Sequence, residues 1–166
     1  MKILLASVEA TDLTSSIQEY LGSKGYLVEL GGHLSDENAK WHWAEIAKAS
    51  ALQQSNGDVD LTILLCWSGT GVCIAANKVE GIRAALCWDR ETAELARKWD
   101  DANVLCMSLR STETKDANEI IDAFIETEFD EEDFATIIIN GEVSIDVINL
   151  GFPVNRDNFE FEENGD

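Results

Sequence analysis

The sequence predicts an α/β protein, a three-layer α/β/α sandwich on a five-stranded parallel sheet. Two observations carry this. Apolar runs of strand length recur with continuous rather than alternating hydrophobicity, the pattern of strands buried on both faces. Segments of helical spacing separate them, and such β-α alternation gives parallel pairing through right-handed crossovers. The 166 residues suit one domain with a real core, since chains of this size remove roughly 70% of their unfolded surface from water.

The elements follow in order. KILLAS (2–7) is the first strand, and LTSSIQEYLGSKG the first helix, with Gly25 as its stop signal. YLVEL (26–30) is the second strand, followed by the helical WHWAEIAKASALQQ. DLTILLCW (60–67) is the third strand and leads into TGVCIAANKVEG as a helix. IRAALCW (82–88) is the fourth, with RETAELARKWDD behind it; NVLCMSL (103–109) is the fifth, with TKDANEIIDAFIETEF behind it. Beyond Phe129 the pattern weakens. We therefore divide the chain into an α/β domain over 1–129 and an acidic extension over 130–166 that packs on a neighbouring subunit or frays.

Composition narrows the function. Twelve Lys and Arg against 32 Asp and Glu give a formal charge of −20, which repels phosphate backbones and anionic membranes. Nucleic acid and membrane are therefore excluded as partners. The N-terminal MKILLASVEATD turns polar too soon for a signal peptide or a membrane span, so a cytoplasmic protein is expected. Cys66, Cys73, Cys87 and Cys106 lie in apolar stretches without C-x-x-C spacing, which predicts neither disulfides nor a structural metal.

In open parallel sheets ligands bind beyond the carboxyl ends of the strands. The stretch CWSGTGVCIAANK (66–78) stands at the third such end. Gly69 and Gly71 permit a tight turn with exposed N–H groups, and the following helix adds the positive end of its dipole. This is a cradle for an oxyanion or phosphate. A thiol at a helix N-terminus ionises more readily than a free one, so Cys66 reads either as a base or nucleophile or as a buried structural thiol. The loop lacks the Gly-Lys-Ser/Thr of a Walker A motif. It also has Ile74 where the dinucleotide fingerprint needs a third glycine, and lacks the flanking glycines of a hydrolase elbow.

The stretch ILLCWSGTGVCIAANKVEGIRAALCWDRETAELARKWDDANVLCMSLR resembles the ribose-5-phosphate isomerase B and galactose-6-phosphate isomerase family, with its C-G-T-G-x-G, I-A-A-N-K, G-I-R-A and D-A-N-V-L motifs. The resemblance runs from Met1 to about Phe129. It implies a Rossmann-like fold and an aldose–ketose isomerisation through an enediolate, without cofactor or metal. It also implies a sugar or sugar-phosphate substrate and a homodimer or homotetramer with sites at subunit interfaces. By position, Cys66 matches the proton-shuttling thiol and Ser68 a hydroxyl beside the reacting oxygens. The amides of Gly69, Thr70, Gly71 and Val72 match the enediolate cradle, and Arg110 an anion-binding arginine. Asn77 and Lys78 match positions that serve helix and loop packing.

Three departures bear on the substrate. The family's S-D-H-A-G reads SVEAT, so Val8 replaces the acid and Glu9 the histidine. Glu9 opposes a phosphate but can accept hydrogen bonds from sugar hydroxyls; otherwise it is a solvated loop acid. The family's ring-opening histidine is Trp99, which transfers no proton. Trp99 either stacks on a sugar ring or packs in the core, and either ring opening falls to Asp100 or Glu9 or the substrate is mostly open-chain. The basic helix near the family's C-terminus reads EEDFATIII. The expected activity is isomerisation of a ribose 5-phosphate/ribulose 5-phosphate type sugar with Cys66 as base. The alternatives are a non-phosphorylated sugar substrate or a non-catalytic sugar-binding protein.

Overall fold

A computed structural model of the chain describes residues 1–38 and 40–130. The acidic extension expected after Phe129 lies outside the described residues, apart from Asp130. Met1–Phe129 form one compact unit.

Ten elements alternate as expected: β1 (Lys2–Ser7), α1 (Asp12–Ser23), β2 (Leu27–Gly32), α2 (Trp43–Ser55), β3 (Leu61–Cys66), α3 (Thr70–Ala76), β4 (Ala84–Leu86), α4 (Arg90–Lys98), β5 (Val104–Ser108) and α5 (Thr114–Glu126). All strand pairs are parallel, in the order β2-β1-β3-β5-β4. The three central strands are almost wholly buried, which is why their sequences are apolar throughout.

Helix starts are set by local chemistry. The Thr11 hydroxyl accepts from the Thr14 N–H at 3.3 Å while the Thr14 hydroxyl accepts from the Thr11 N–H at 2.9 Å, closing a capping box on α1. Asp89 caps α4 by accepting from the Thr92 N–H at 2.8 Å. Gly25, at φ 84°, ends α1 as its sequence signal predicts.

The pleat sends alternate residues of each strand to opposite layers. Ile3, Leu5, Ile63, Leu65, Leu105 and Met107 face α1, α4 and α5. Leu4, Ala6, Leu64, Cys66, Val104 and Cys106 face α2 and α3. Cys66 therefore closes β3 on the α2–α3 side.

Two elements are shorter than the sequence suggests. The fourth strand, at one edge of the sheet, covers only Ala84–Leu86. The third helix stops at Ala76, where Asn77 turns its side chain to the backbone of that edge strand. Asn77 Nδ2 donates to the Ala84 carbonyl at 2.8 Å, and its Oδ1 accepts from the Ala84 N–H at 2.8 Å. Asn77 thus has the packing role its motif implied. No helix among the described residues is long and apolar enough to cross a membrane.

Candidate active site

The turn after β3 is fixed by backbone. Cys66 pairs in register with Ser108 of β5, and its carbonyl accepts from the Gly69 N–H at 3.2 Å and the Leu109 N–H at 2.9 Å. Gly69 sits at φ 75° as the residue before α3. A Cβ there would stand 2.4 Å from Leu86 Cδ1 and 3.0 Å from the Met107 carbonyl, so only glycine fits. The Gly69 amide is therefore turned inward, and the free first-turn N–H groups are those of Thr70, Gly71 and Val72. The Ser68 and Thr70 hydroxyls lie 2.7 Å apart over that turn.

Above it opens a cleft of ≈ 440 Å³ lined by Val8, Trp41, His42, Trp43, Cys66, Trp67, Ser68, Thr70 and Gly71. Cys66 is its buried floor. Trp43 leans on the turn: a Cβ at Gly71 would be 3.2 Å from its Cε3 atom. His42 caps α2, and its ring lies 5.2 Å from that of Trp43. Sequence reasoning missed Trp41, His42, Trp43 and Trp67. The signal was present in W-H-W ahead of a helix and in an indole between a cysteine and a serine.

The other expected site residues lie apart from this floor. Val8 extends the β1 ladder through its N–H to the Leu65 carbonyl at 3.1 Å and packs on the α2–α3 side. Glu9 is the next residue, exposed and outside the cleft lining. Trp99 and Asp100 precede β5, whereas Cys66 pairs with its last residue. Four strand residues, roughly 13 Å at about 3.3 Å each, separate the two ends. Desolvation pushes the Asp100 carboxyl above its ordinary value, and Lys98 Nζ stands 5.6 Å over the Trp99 ring. Beside them Asp101 receives Arg83 at 2.6 Å and Arg97 at 3.5 Å, a bracket that orders the corner before β5.

Arg110 is exposed at the end of β5. Its N–H donates to the Trp67 carbonyl at 3.2 Å and to Ser108 Oγ at 3.2 Å, placing it beside the mouth of the cleft.

The remaining thiols are partly or fully enclosed. Burial pushes Cys87 up to about 12. Contact with the Cys73 thiol, together with burial, holds Cys106 well above the ordinary thiol range. Half-buried Cys73 donates to the Ala84 carbonyl at 3.2 Å.

Residues 3–140 match the family described as Ribose/Galactose Isomerase. A probable ribose-5-phosphate isomerase B of Mycoplasma genitalium is 40% identical over 119 residues, 71% of this chain and 78% of that protein. A 4-deoxy-4-sulfo-D-erythrose isomerase of a Clostridium species is 37% identical over 108 residues, 64% of this chain and 67% of its own length. The crystal structure of the M. genitalium isomerase with bound ribulose-5-phosphate superimposes with a TM-score of 0.72 at 37% identity, covering 82% of this chain and 91% of that one. By sequence and by fold, the chain belongs to the ribose/galactose isomerase family of aldose–ketose isomerases.

Proposed function

We propose that the chain interconverts a sugar phosphate of the ribose 5-phosphate type and its ketose through an enediolate, with Cys66 as the base. One observation carries the reading: the Cys66 floor, the Ser68–Thr70 hydroxyl pair and the free amides of Thr70 and Gly71 open on a single cleft.

The Cys66 thiolate removes the proton from C2 of the open-chain aldose, and the released electron pair moves through C1 onto the carbonyl oxygen. The amides at the start of α3 donate to that oxyanion, fixed dipoles that need no reorganisation as charge develops. The Ser68–Thr70 pair relays the O2 proton to O1, and Cys66 returns its proton to C1. C2 is thereby oxidised to the ketone as C1 is reduced, with no external redox partner.

Arg110 is the cation for an anionic tail at the mouth. As site residues, Trp99 and Asp100, at the far end of β5 from Cys66, would serve the cleft of a second copy, in a homodimer or homotetramer. Sedimentation at micromolar concentration should then show a species larger than the 18.3 kDa monomer; a monomer alone contradicts the shared site.

Cys66→Ala tests the chemistry. Turnover and exchange of the substrate C–H with solvent deuterium should both fall about 10²–10⁴-fold, the contribution typical of a positioned base. Exchange at the wild-type rate in that variant would assign the base elsewhere.

A further inference from the structure

We propose that His42 is a further catalytic residue of the isomerisation, an imidazole whose Nε2–H donates to the carbonyl oxygen of the open-chain sugar as the enediolate forms. The proposal rests on the isomerase reading of the same site. His42 lines the cleft above Cys66 and stands at the start of α2. Its Nδ1 accepts from the Ala44 N–H at 3.4 Å, while its own backbone N–H donates to Glu45 Oε2 at 2.9 Å, closing a capping box. A ring nitrogen that accepts carries no proton, so the ring hydrogen sits on Nε2. With Nδ1 spent on the helix backbone, what the imidazole offers the cleft is a donor.

Capping by itself does not call for histidine. Asp, Asn, Ser and Thr fill that position best, and none of them reaches past the helix start as an imidazole does. The ring is tied to the glycine turn through one neighbour. It lies 5.2 Å from the Trp43 ring, and Trp43 Cε3 would stand 3.2 Å from a Cβ at Gly71, in the first turn of α3. The start of α2 therefore stands beside the start of α3 over one cleft, with the Cys66 thiol as its floor. On a cis-enediolate O1 and O2 are neighbours, so a donor between them serves the carbonyl of aldose and ketose alike. The amides of Thr70 and Gly71 meet those oxygens from the α3 side and His42 from the α2 side. Neutral imidazoles at helix starts polarise carbonyls in enediolate chemistry, where a donor fixed in place needs no reorganisation as charge develops. His42 keeps its proton throughout: Cys66 moves the carbon-bound proton and the Ser68–Thr70 pair the hydroxyl proton. The phosphate is left to Arg110 and the second copy.

The carbonyl itself reports the contact. Ribulose 5-phosphate bound to the Cys66→Ala protein should show its C=O infrared stretch at lower wavenumber than free in solution, and adding His42→Asn should move it part of the way back. Asparagine is itself a favoured N-cap, so α2 keeps its cap and the variant removes only the Nε2–H. In the otherwise wild-type protein His42→Asn should lower kcat for ribose 5-phosphate about 10²–10³-fold, the effect of losing one such donor, with KM changed by no more than about threefold. A kcat within about threefold of wild type in that variant overturns the proposal. So does lost turnover with the C=O stretch unmoved, which makes His42 a cap alone, and so does ribulose 5-phosphate that fails to bind. The two readings separate. Full turnover in His42→Asn defeats the imidazole and leaves the isomerase, whereas a stretch that His42→Asn moves, in a wild-type protein that turns over no sugar phosphate, defeats the isomerase reading alone.

Discussion

The two faces of the sheet differ in what fills them. Against α1, α4 and α5 the strands present Ile3, Leu5, Ile63, Leu65, Leu105 and Met107, met by Ile17, Leu21, Ile120, Ile121 and Phe124, each 0–1% exposed. Against α2 and α3 the buried residues are smaller, with Ala6, Ala47, Ala51, Val72, Ala76 and the thiols of Cys66 and Cys106. Large aliphatic and aromatic groups bury more area per residue, so the first face supplies more of the stability. Small residues let helices approach the strands closely, and the second face uses that approach to hold a thiol, a glycine turn and an indole in register. Stability and chemistry are laid on opposite sides of the same five strands.

The sharpest way to break this division is Phe124→Ala. Phe124 is 1% exposed, and the Arg97 guanidinium carbon lies 5.5 Å from its ring centroid. Removing the ring should cost about 3–5 kcal/mol in urea unfolding while turnover per folded molecule stays near wild type. A large loss of turnover in the folded fraction would mean that the two faces are coupled. Cys66→Ala is its mirror, with turnover lost as described above and stability changed by no more than about 1–2 kcal/mol, since one small buried group is removed. A smaller effect concerns Cys87, which belongs to the stabilising face. Its thiol titrates at about 12 when folded against an ordinary 9.0, so the folded state keeps a proton that the unfolded chain has lost. Stability should be insensitive to this group below pH 9.0 and decline from there towards 12, and Cys87→Ala should flatten that decline in unfolding curves taken across the range.

The sequence shows most of the fold and about half of the site, for physical reasons. Continuous apolar runs report burial on two sides, so the parallel sheet is legible residue by residue. Strand order is not: β5 lies between β3 and β4 because of pairing over distance, which no local pattern encodes. Cys66, Ser68 and the glycine turn are contiguous and can be read directly. Glu9 lies outside the cleft lining of its own copy, because strand alternation gives the cleft side to Val8. Trp41 and Trp43 read as the start of a helix; only the docking of α2 beside α3 brings them to Trp67.

The side chain of Asn77 has a consequence beyond packing. Its amide offers the outer edge of β4 one donor and one acceptor, the same pair a further strand would present to Ala84. On the inner side, towards β5, Asn103 Oδ1 accepts the Arg83 N–H at 2.9 Å, while its Nδ2 reaches the Gly81 carbonyl at 2.8 Å. Asn77 thus acts as a selvedge at Ala84, finishing the outer border of the fabric there. A strand of another copy approaching that border at Ala84 would find its place already taken.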